Sequence, residues 1–520
     1  KRVSKKIEVV PGYGSVTTNY HYYDNSEYLA AQVKVGDSCT EYRYYADKHT
    51  NATNLYLRGS LKSVLYYNNS ACTSLLRKVE NEYTSLKISD ANEKRYNPDI
   101  EANDTRIPLT DKVTITDYKV GGNDEFIQDF SSFDSFGNPR IVVETSKTGG
   151  VVLATRTKRH TYLNASDAWV INLPGAETVD SISGSIVNAY NTKGQLVTKN
   201  VYGNVTTYSY NTNGTLGYKV DPENNRFDFS NYKQGIPRTI TGPESFHITR
   251  VVDDFGNVDS ITRHSTGDVS SVTTGYAQDS MNRTTSVVSP KSGDANTSVT
   301  YVYNSQGLLK TVTRGASKVE TQYDGRGNVK LIKNILLNPS NLSSVSQIMY
   351  QSFRYDKLGR LTFKGDVTFN SDASKHRGTT TSYDGLNRVT RIRNSDESEV
   401  VFSYLANNTV QVKDEENVVT RNVYRSYGDP NETLLISQSA FGSNAYSNTM
   451  LSSPDSTTTI NRNALGLITS VERGGFTQTN AYDTDWQIDK QVIPEIGTVD
   501  LDFDGNGNLV GHQYPNKTKT

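Results

Sequence analysis

The sequence predicts an all-β protein in which many similar hairpins follow one another and form one long, spiralling sheet. Three observations favour this fold class. The chain is rich in residues that suit strands, with 34 tyrosines against 15 phenylalanines and 2 tryptophans. A five-residue motif recurs along most of the chain. The residues ahead of the motif alternate between larger and smaller side chains, as they do in strands.

The composition limits what such a sheet can pack against and what it can bind. Hydrophobic residues make up only 34% of the 520 residues, so we expect a wide, partly wet interior instead of a dry core. The net charge of −1, from 55 basic and 56 acidic residues, argues against a nucleic-acid-binding protein. No apolar run approaches the roughly 18 residues of a membrane span. Because the chain begins with Lys1, we expect it to be part of a longer protein.

The repeated motif consists of an aromatic residue, Asp or Asn, two variable residues and Gly. The seven strict copies are Phe133, Asp134 and Gly137; Tyr190, Asn191 and Gly194; Tyr210, Asn211 and Gly214; Tyr303, Asn304 and Gly307; Tyr323, Asp324 and Gly327; Tyr355, Asp356 and Gly359; and Phe503, Asp504 and Gly507. The five near-copies are Val252 with Asp253; Gln278 with Asp279; Tyr383 with Asp384 and Asn387; Asn463 with Gly466; and Tyr482 with Asp483. Most copies follow one another after about 20 to 28 residues, which is the length of a hairpin unit.

Each part of the motif has a physical role in a hairpin turn. The Asp or Asn side chain accepts hydrogen bonds from backbone amides of the turn. Gly, or Asn in its place, supplies the positive φ that closes a loop of three to five residues. An aliphatic residue such as Leu196 or Leu309 follows two positions later and opens the return strand. Since one hairpin is not stable alone, neighbouring hairpins are predicted to pair edge to edge.

The regular motif begins near residue 126, which divides the chain into two predicted parts. Residues 1–125 are predicted to form an N-terminal β region with degenerate repeats, and residues 126–520 one continuous repeat shell. The two cysteines, Cys39 and Cys72, lack the paired spacing of a zinc site. They form one disulfide in an oxidising compartment, or remain two unpaired thiols in neighbouring turns; the spacing leaves both open.

The motif resembles the YD repeat of the RHS (rearrangement hotspot) family. The full pattern Tyr-Asp-x-x-Gly followed by Asn or Arg and an aliphatic residue stands at 323–329 and 355–361. Residues 58–77 resemble the family's segment ahead of the regular repeats, and residues 160–174, with Trp169 and Pro174, its Trp-x-x-x-Leu-Pro connector. The resemblance is weakest over 91–125. It extends to the B and C components of Tc insecticidal toxins and, more distantly, to animal teneurins.

This resemblance implies a hollow shell that encloses another polypeptide, often a toxic C-terminal domain. The chain lacks the family's C-terminal core segment with its self-cleaving aspartates, so we expect a central stretch of shell wall. The partners implied are an enclosed C-terminal or separate toxin polypeptide, or further shell segments of the same protein. The implied location is secreted or at the bacterial cell surface.

Other interpretations of single motifs are weaker. The stretch from Asp504 to Asn508 resembles the start of a calcium loop, but Pro515 stands where such a loop needs a bidentate Glu. Glycine pairs such as Gly325 and Gly327 lack the following helix of a phosphate loop. The seven histidines form no His-x-x-x-His pair, and Asp483 with Asp485 is an ordinary local pair in a chain with 56 acids.

From the residues alone we therefore expect no catalytic residue, cofactor or metal site. The first functional expectation is a shell that encloses a passenger. The second is a surface scaffold whose exposed sheet binds glycans or a cell-surface partner. Asn-x-Ser/Thr tripeptides, for example at Asn204, would carry glycans in an animal protein, whereas in a bacterial chain they follow from composition.

Overall fold

The computed structural model describes residues 3–10, 14–24, 28–45, 57–87, 106–165, 170–265, 267, 270–289, 298–442 and 453–515. Strands and the short turns between them account for nearly all of these residues, which confirms the all-β prediction. Trp169 of the predicted connector lies outside the described residues, whereas Pro174 lies in a strand. No helix in the described part of the chain is long and apolar enough to cross a membrane.

The described residues form 39 strands and two 3-10 helices, Pro243–Ser245 and Ala373–Lys375. The first nineteen strands are β1 Lys5–Val10, β2 Gly14–Asp24, β3 Tyr28–Val35, β4 Ser38–Tyr45, β5 Leu61–Tyr67, β6 Leu75–Lys87, β7 Arg106–Lys119, β8 Gly122–Ser131, β9 Ile141–Thr148, β10 Val151–Ala165, β11 Val170–Val179, β12 Ile186–Tyr190, β13 Leu196–Val201, β14 Asn204–Tyr210, β15 Leu216–Val220, β16 Arg226–Ser230, β17 Thr239–Thr241, β18 His247–Val252 and β19 Val258–His264. The remaining twenty are β20 Ser271–Gln278, β21 Thr284–Val288, β22 Ser298–Tyr303, β23 Leu309–Arg314, β24 Ser317–Tyr323, β25 Val329–Asn338, β26 Asn341–Tyr355, β27 Leu361–Gly365, β28 Gly378–Tyr383, β29 Val389–Arg393, β30 Glu399–Leu405, β31 Thr409–Lys413, β32 Val419–Arg425, β33 Leu434–Phe441, β34 Ser456–Arg462, β35 Ile468–Arg473, β36 Phe476–Tyr482, β37 Ile488–Ile493, β38 Gly497–Phe503 and β39 Leu509–Gln513.

The strands form one antiparallel ribbon in which each strand pairs with the strand before it and the strand after it. Turns between strands therefore fall alternately on the two long edges of the ribbon. The predicted boundary at residue 125 lies inside β8, and the division of the chain into two parts stays a prediction.

The twelve motif copies all lie on one edge of the ribbon, because each joins an even-numbered strand to the next odd-numbered one. We call this the motif edge and the other the opposite edge. In every motif hairpin except that of Asp134, the register shifts just before the turn, as where Ser209 pairs with Tyr218 but Tyr210 with Leu216. Such bulges bend a sheet and increase its twist. Because the motif bulges are confined to the motif edge, they bend the ribbon repeatedly in the same sense.

The bent ribbon returns onto itself after 23 strands. The turn between β5 and β6 contacts the turn between β28 and β29, and the β7–β8 turn contacts the β30–β31 turn, so in both pairs the second turn comes 23 strands after the first. The β15–β16 and β38–β39 turns meet at the same offset. We call this line of contacts the seam. It joins the opposite edge of the first turn of the spiral to the motif edge of the second.

The spiral encloses space. Twenty-three strands at about 4.8 Å each give a perimeter of about 110 Å and a diameter of about 35 Å, whereas packed sheets lie only about 10 Å apart. The burial of side chains agrees with an open interior, because strands such as β15 and β30 have every side chain half-buried on both faces. Only twenty hydrophobic residues are buried in the described part of the chain. The expectation of a wall with little dry core is therefore met.

Candidate functional site: the hairpin turns and the seam

The repeated turn has one hydrogen-bonding pattern, shown here for Asp324. Its amide donates to the carbonyl of Asn328 (2.8 Å), and its own carbonyl accepts from the amide of Gly327 (3.1 Å). Its Oδ1 accepts from the amides of Arg326 (2.8 Å) and Asn328 (2.9 Å). Gly327 has a φ of 85°, which favours glycine. The turn is closed by four hydrogen bonds, all centred on the Asp.

All twelve motif copies form the two backbone bonds of this turn, with the Asp or Asn at its first position. The two side-chain bonds form in every copy except that of Asn211, where the amide of Thr215 donates to Asn213 instead. The backbone bonds recur at Asp134, Asn191, Asn211, Asp253, Asp279, Asn304, Asp324, Asp356, Asp384, Asn463, Asp483 and Asp504. Where Gly is replaced, Asn282 (59°), Asn387 (63°) and Trp486 (61°) take the positive φ. The aromatic residue is the last of its strand in every strict copy except Phe133, which lies two residues beyond the end of β8.

Three further turns have the same geometry but do not match the sequence motif. They begin at Asp221, Asn394 and Asp414 and lie on the opposite edge, between β15 and β16, β29 and β30, and β31 and β32. No aromatic residue precedes them, and their register does not shift. Asn224 and Asn417 at the fourth position are the signal that would have identified two of them.

A tyrosine, in five cases that of the motif, links a hairpin to an earlier strand. Its hydroxyl donates to the carbonyl of the first residue of an earlier return strand, next to the bulge, as Tyr323 does to Leu309 (2.6 Å). Eight tyrosines make this bond at 2.6 to 2.9 Å: Tyr83, Tyr210, Tyr232, Tyr303, Tyr323, Tyr383, Tyr404 and Tyr482. In the near-copy at Gln278 the side-chain amide takes the place of the phenol and donates to Val258 (3.1 Å). We call this series the tyrosine ladder.

Charges at the turns support the ladder. When Arg follows the Gly position, it pairs with the turn Asp and covers the next tyrosine, as Arg388 does with Asp384 (2.7 Å) and Tyr404 (4.0 Å to the ring centre). Hydrogen bonding from Arg283 holds the pKa of Asp279 below its usual range. Burial raises the pKa of Tyr404, so its hydroxyl stays protonated to a higher pH than that of a free tyrosine.

The seam begins at the disulfide-bonded turn between β5 and β6. Cys39 and Cys72 are bonded, with 5.5 Å between their Cα atoms, which settles the alternative that the sequence left open. Beside this turn, the amide of Gly385 donates to Oδ1 of Asn68 (2.9 Å). A Cβ on Gly385 would lie 2.4 Å from the carbonyl oxygen of Tyr67, so only glycine permits this approach.

The middle of the seam is centred on Asp124, which is completely buried. Its carboxylate accepts from the amides of Asn407 and Asn408 in the second turn (2.9 Å each). From its own turn of the spiral it binds Lys119 (2.7 Å) and the hydroxyl of Thr148. One carboxylate therefore satisfies donors from both sides of the seam.

A second buried charge group follows along the seam. Arg156 of the first turn binds Glu144 beside it (2.7 Å) and Glu432 across the seam (3.1 Å), and it covers the ring of Tyr427 (4.1 Å). Burial alone would raise the pKa of Glu144, but hydrogen bonding from Arg156 and the nearby charge of Lys158 hold it below its usual range. Arg156 thus carries the positive charge shared by carboxylates of both turns.

The far end of the seam joins turn to turn with polar contacts. The indole of Trp486 donates to the carbonyl of Ser183 (2.9 Å). Asn506, in the motif turn of Asp504, donates to Asp221 (3.0 Å), one of the turns on the opposite edge. The stretch that resembles a calcium loop is therefore a hairpin turn used in the seam. No group of three or more His, Cys, Asp or Glu among the described residues is placed to hold a metal ion.

Comparison with known proteins finds similarity only among solved structures. No family model matches the chain, and no curated protein does. The chain is similar to a Photorhabdus luminescens Tc holotoxin pore (12% identity, TM-score 0.40, 97% of this chain and 26% of that chain). It is similar to the TcdB2-TccC3-Cdc42 structure (11%, TM-score 0.34, 97% and 27%) and to TcdB2-TccC3 (9%, TM-score 0.21, 96% and 45%). The chain spans less than half the length of these relatives. They are the proteins to which the repeat motif pointed.

The tyrosine ladder predicts a specific loss of stability when one hydroxyl is removed. Tyr323→Phe should lower the free energy of unfolding by about 1 kcal/mol or more, because the carbonyl of Leu309 loses its partner. Tyr301→Phe is the control, since the hydroxyl of Tyr301 makes no hydrogen bond to the described residues. Equal stability of the two variants in urea unfolding would contradict the ladder.

The buried carboxylate of the seam predicts a larger effect. Asp124→Asn should lower the free energy of unfolding by about 3 kcal/mol. It removes the negative charge that pairs with the buried Lys119, and it can place an NH2 group against the backbone amides of Asn407 and Asn408. Hydrogen exchange at Asn407 and Asn408 should accelerate. The matched control is Asp500→Asn, whose partner Lys490 lies 3.8 Å away and whose side chain is 48% exposed; we expect a change below about 1 kcal/mol. Similar losses in both variants would refute the role of Asp124.

The lowered pKa values of turn aspartates predict acid sensitivity. Hydrogen bonds from Asn257 and Asn508 lower the pKa of Asp253 and Asp504, as that from Arg283 does for Asp279. A carboxyl with a lowered folded pKa stabilises above its unfolded pKa of about 3.9, and this stability is lost as the pH falls further. Urea unfolding should therefore show lower stability at pH 3 than at pH 6, and Asp279→Asn should reduce the difference. A stability that does not change over this range would contradict the prediction.

Proposed function

We propose that this chain is a structural section of an enclosing shell, which keeps a passenger polypeptide apart from its surroundings. The observation that carries the proposal is the seam, where the two edges of the ribbon meet in hydrogen bonds 23 strands apart. The passenger is a toxin polypeptide, either a C-terminal part of the same protein or a separate chain. Further shell segments cover the open rims.

The proposed mechanism is exclusion by geometry and involves no reaction. The wall has a diameter of about 35 Å at the backbone and leaves a space about 25 Å wide between the inner side chains, enough for an extended or partly folded chain but too narrow for most proteases to enter. The partly hydrated inner face offers no continuous apolar surface on which a passenger would collapse. Buried charges at the seam hold the two turns in one register and keep the wall from opening.

The proposed location is outside the cytoplasm, secreted or at a bacterial cell surface. The bond between Cys39 and Cys72 supports it, because disulfides persist in oxidising compartments. The alternative of a scaffold that binds glycans or a cell-surface partner stays a prediction from the sequence.

The enclosing wall is tested by comparing two neighbouring side chains on opposite faces of one strand. Thr380→Cys and Thr381→Cys lie side by side in β28 and point to opposite faces. Each variant is treated with N-ethylmaleimide and with a maleimide on a 20-kDa polyethylene glycol. For a closed wall we expect one of the two positions to react at least tenfold more slowly with the large reagent, after correction for the small one.

The disulfide leaves no other thiol to react in the described chain, and the wild-type protein is the blank. Small-angle scattering supplies the second measurement, with a pair-distance distribution that peaks well beyond half of the longest dimension. Equal exclusion of the large reagent at both positions, or a distribution typical of a solid particle, would overturn the proposal.

A further inference from the structure

The disulfide lies beside the first contact of the seam. Cys39 of β4 is directly opposite Tyr67 of β5, and Cys72 lies in the turn that follows β5. Gly385 of the second turn of the spiral contacts the residues at which β5 ends. Its amide binds Asn68, and its backbone approaches the carbonyl oxygen of Tyr67 closely. The disulfide therefore ties the turn that receives Gly385 to the neighbouring strand β4.

The two turns of the spiral are held together more weakly here than in the middle of the seam. A single hydrogen bond between described residues, from Gly385 to Asn68, joins them at this end. Beside it lies a cavity of about 420 Å³, lined by residues of both turns that include Asp37 and Lys357. In the middle, by contrast, Asp124 is completely buried and binds donors from both turns. A change in the β5–β6 turn therefore separates this end of the seam before the middle.

The backbone of the β5–β6 turn depends on the disulfide. Cys72 has a φ of 58°, which residues with a side chain seldom adopt. Such a conformation persists only where the surrounding structure holds it. Part of this support is the covalent bond to Cys39, which is buried against Leu65. When the bond is cut, Cys72 can return to a negative φ, and the turn that carries Asn68 changes its shape.

We propose that the disulfide is a redox switch, and that a dithiol reductant opens the seam at this end. Cys39 is 1% exposed whereas Cys72 is partly exposed, so a thiolate of the reductant attacks the sulfur of Cys72. The bond between the two sulfurs breaks, and Cys39 leaves as a thiolate that takes up a proton. The second thiol of the reductant then attacks the mixed disulfide. Cys72 is freed as a thiol, and the reductant, which has given up two electrons and two protons, ends as a cyclic disulfide.

The consequence of this switch for function rests on the enclosing wall proposed above. Disulfides persist in oxidising compartments and are reduced in the cytosol. A shell that passed from one to the other would therefore lose the contact between Gly385 and Asn68. The buried charges of Asp124 and Arg156 do not respond to a reductant and hold the middle of the seam. The switch thus loosens one end of the wall and leaves the rest closed.

The test measures hydrogen exchange at the amide of Gly385 before and after treatment of the folded chain with dithiothreitol. We expect exchange to become at least about tenfold faster, because this amide loses its acceptor. The amides of Asn407 and Asn408, in the middle of the seam, should keep their rates. Mass spectrometry after alkylation with iodoacetamide shows whether both cysteines have been reduced.

Two variants separate the switch from a general loss of structure. Cys72→Ser removes the disulfide and should give the fast exchange at Gly385 with or without dithiothreitol. Ala71→Ser is the matched control, because Ala71 is an exposed neighbour in the same turn and its substitution leaves the disulfide intact. This variant should keep both the slow exchange and the response to dithiothreitol. Circular dichroism checks that each variant folds.

The proposal is overturned if Gly385 exchanges at the same rate before and after complete reduction. It is also overturned if Asn407 and Asn408 accelerate by the same factor, because the chain then loosens as a whole, or if dithiothreitol does not reduce the folded chain. None of these results bears on the enclosing wall, which is tested with maleimides on the oxidised chain.

Discussion

The structure depends on the β-bulge, one extra residue in the return strand, that accompanies the motif hairpins. In every motif hairpin except that of Asp134 the register shifts just before the turn, and in seven of these eleven hairpins the carbonyl beside the bulge accepts a hydrogen bond from a tyrosine further along the chain. Because a buried carbonyl without a partner costs about 1 to 3 kcal/mol, each tyrosine of the ladder stabilises the bulge whose carbonyl it binds. The bulges lie on one edge, so they bend the ribbon in the same sense each time. Curvature, and with it the enclosed space, follows from this local hydrogen bond.

The seam converts a bent ribbon into a wall. Its central groups are charged and buried, with Asp124 and Arg156 each bound to partners in both turns of the spiral. Buried charge pairs contribute little net stability compared with apolar packing, but removing one partner is costly. Such contacts therefore favour one alignment of the two edges over any slipped alignment. The ribbon is made of similar hairpins, so a shift of one edge by one repeat would otherwise change the free energy very little. The buried charges favour the single alignment of the edges that a wall requires.

The sequence by itself determined the local units. Periodic alternation, the Asp or Asn at the turn and the Gly or Asn after it are local requirements, so the hairpins from Tyr190 to Phe503 were predictable one by one. The turns at Asp221, Asn394 and Asp414 were missed, because without an aromatic residue or a bulge their signal is two or three residues long.

The tertiary structure alone decided which hairpins meet after a full turn. The bond between Asn68 and Gly385 and the bonds from Asn407 and Asn408 to Asp124 join residues about 280 to 320 positions apart. The number of strands per turn sets these pairs, and it depends on the sum of many small bends and twists. No single motif determines the number of strands per turn. Neither the seam nor the burial of Asp124 could therefore be predicted from the sequence.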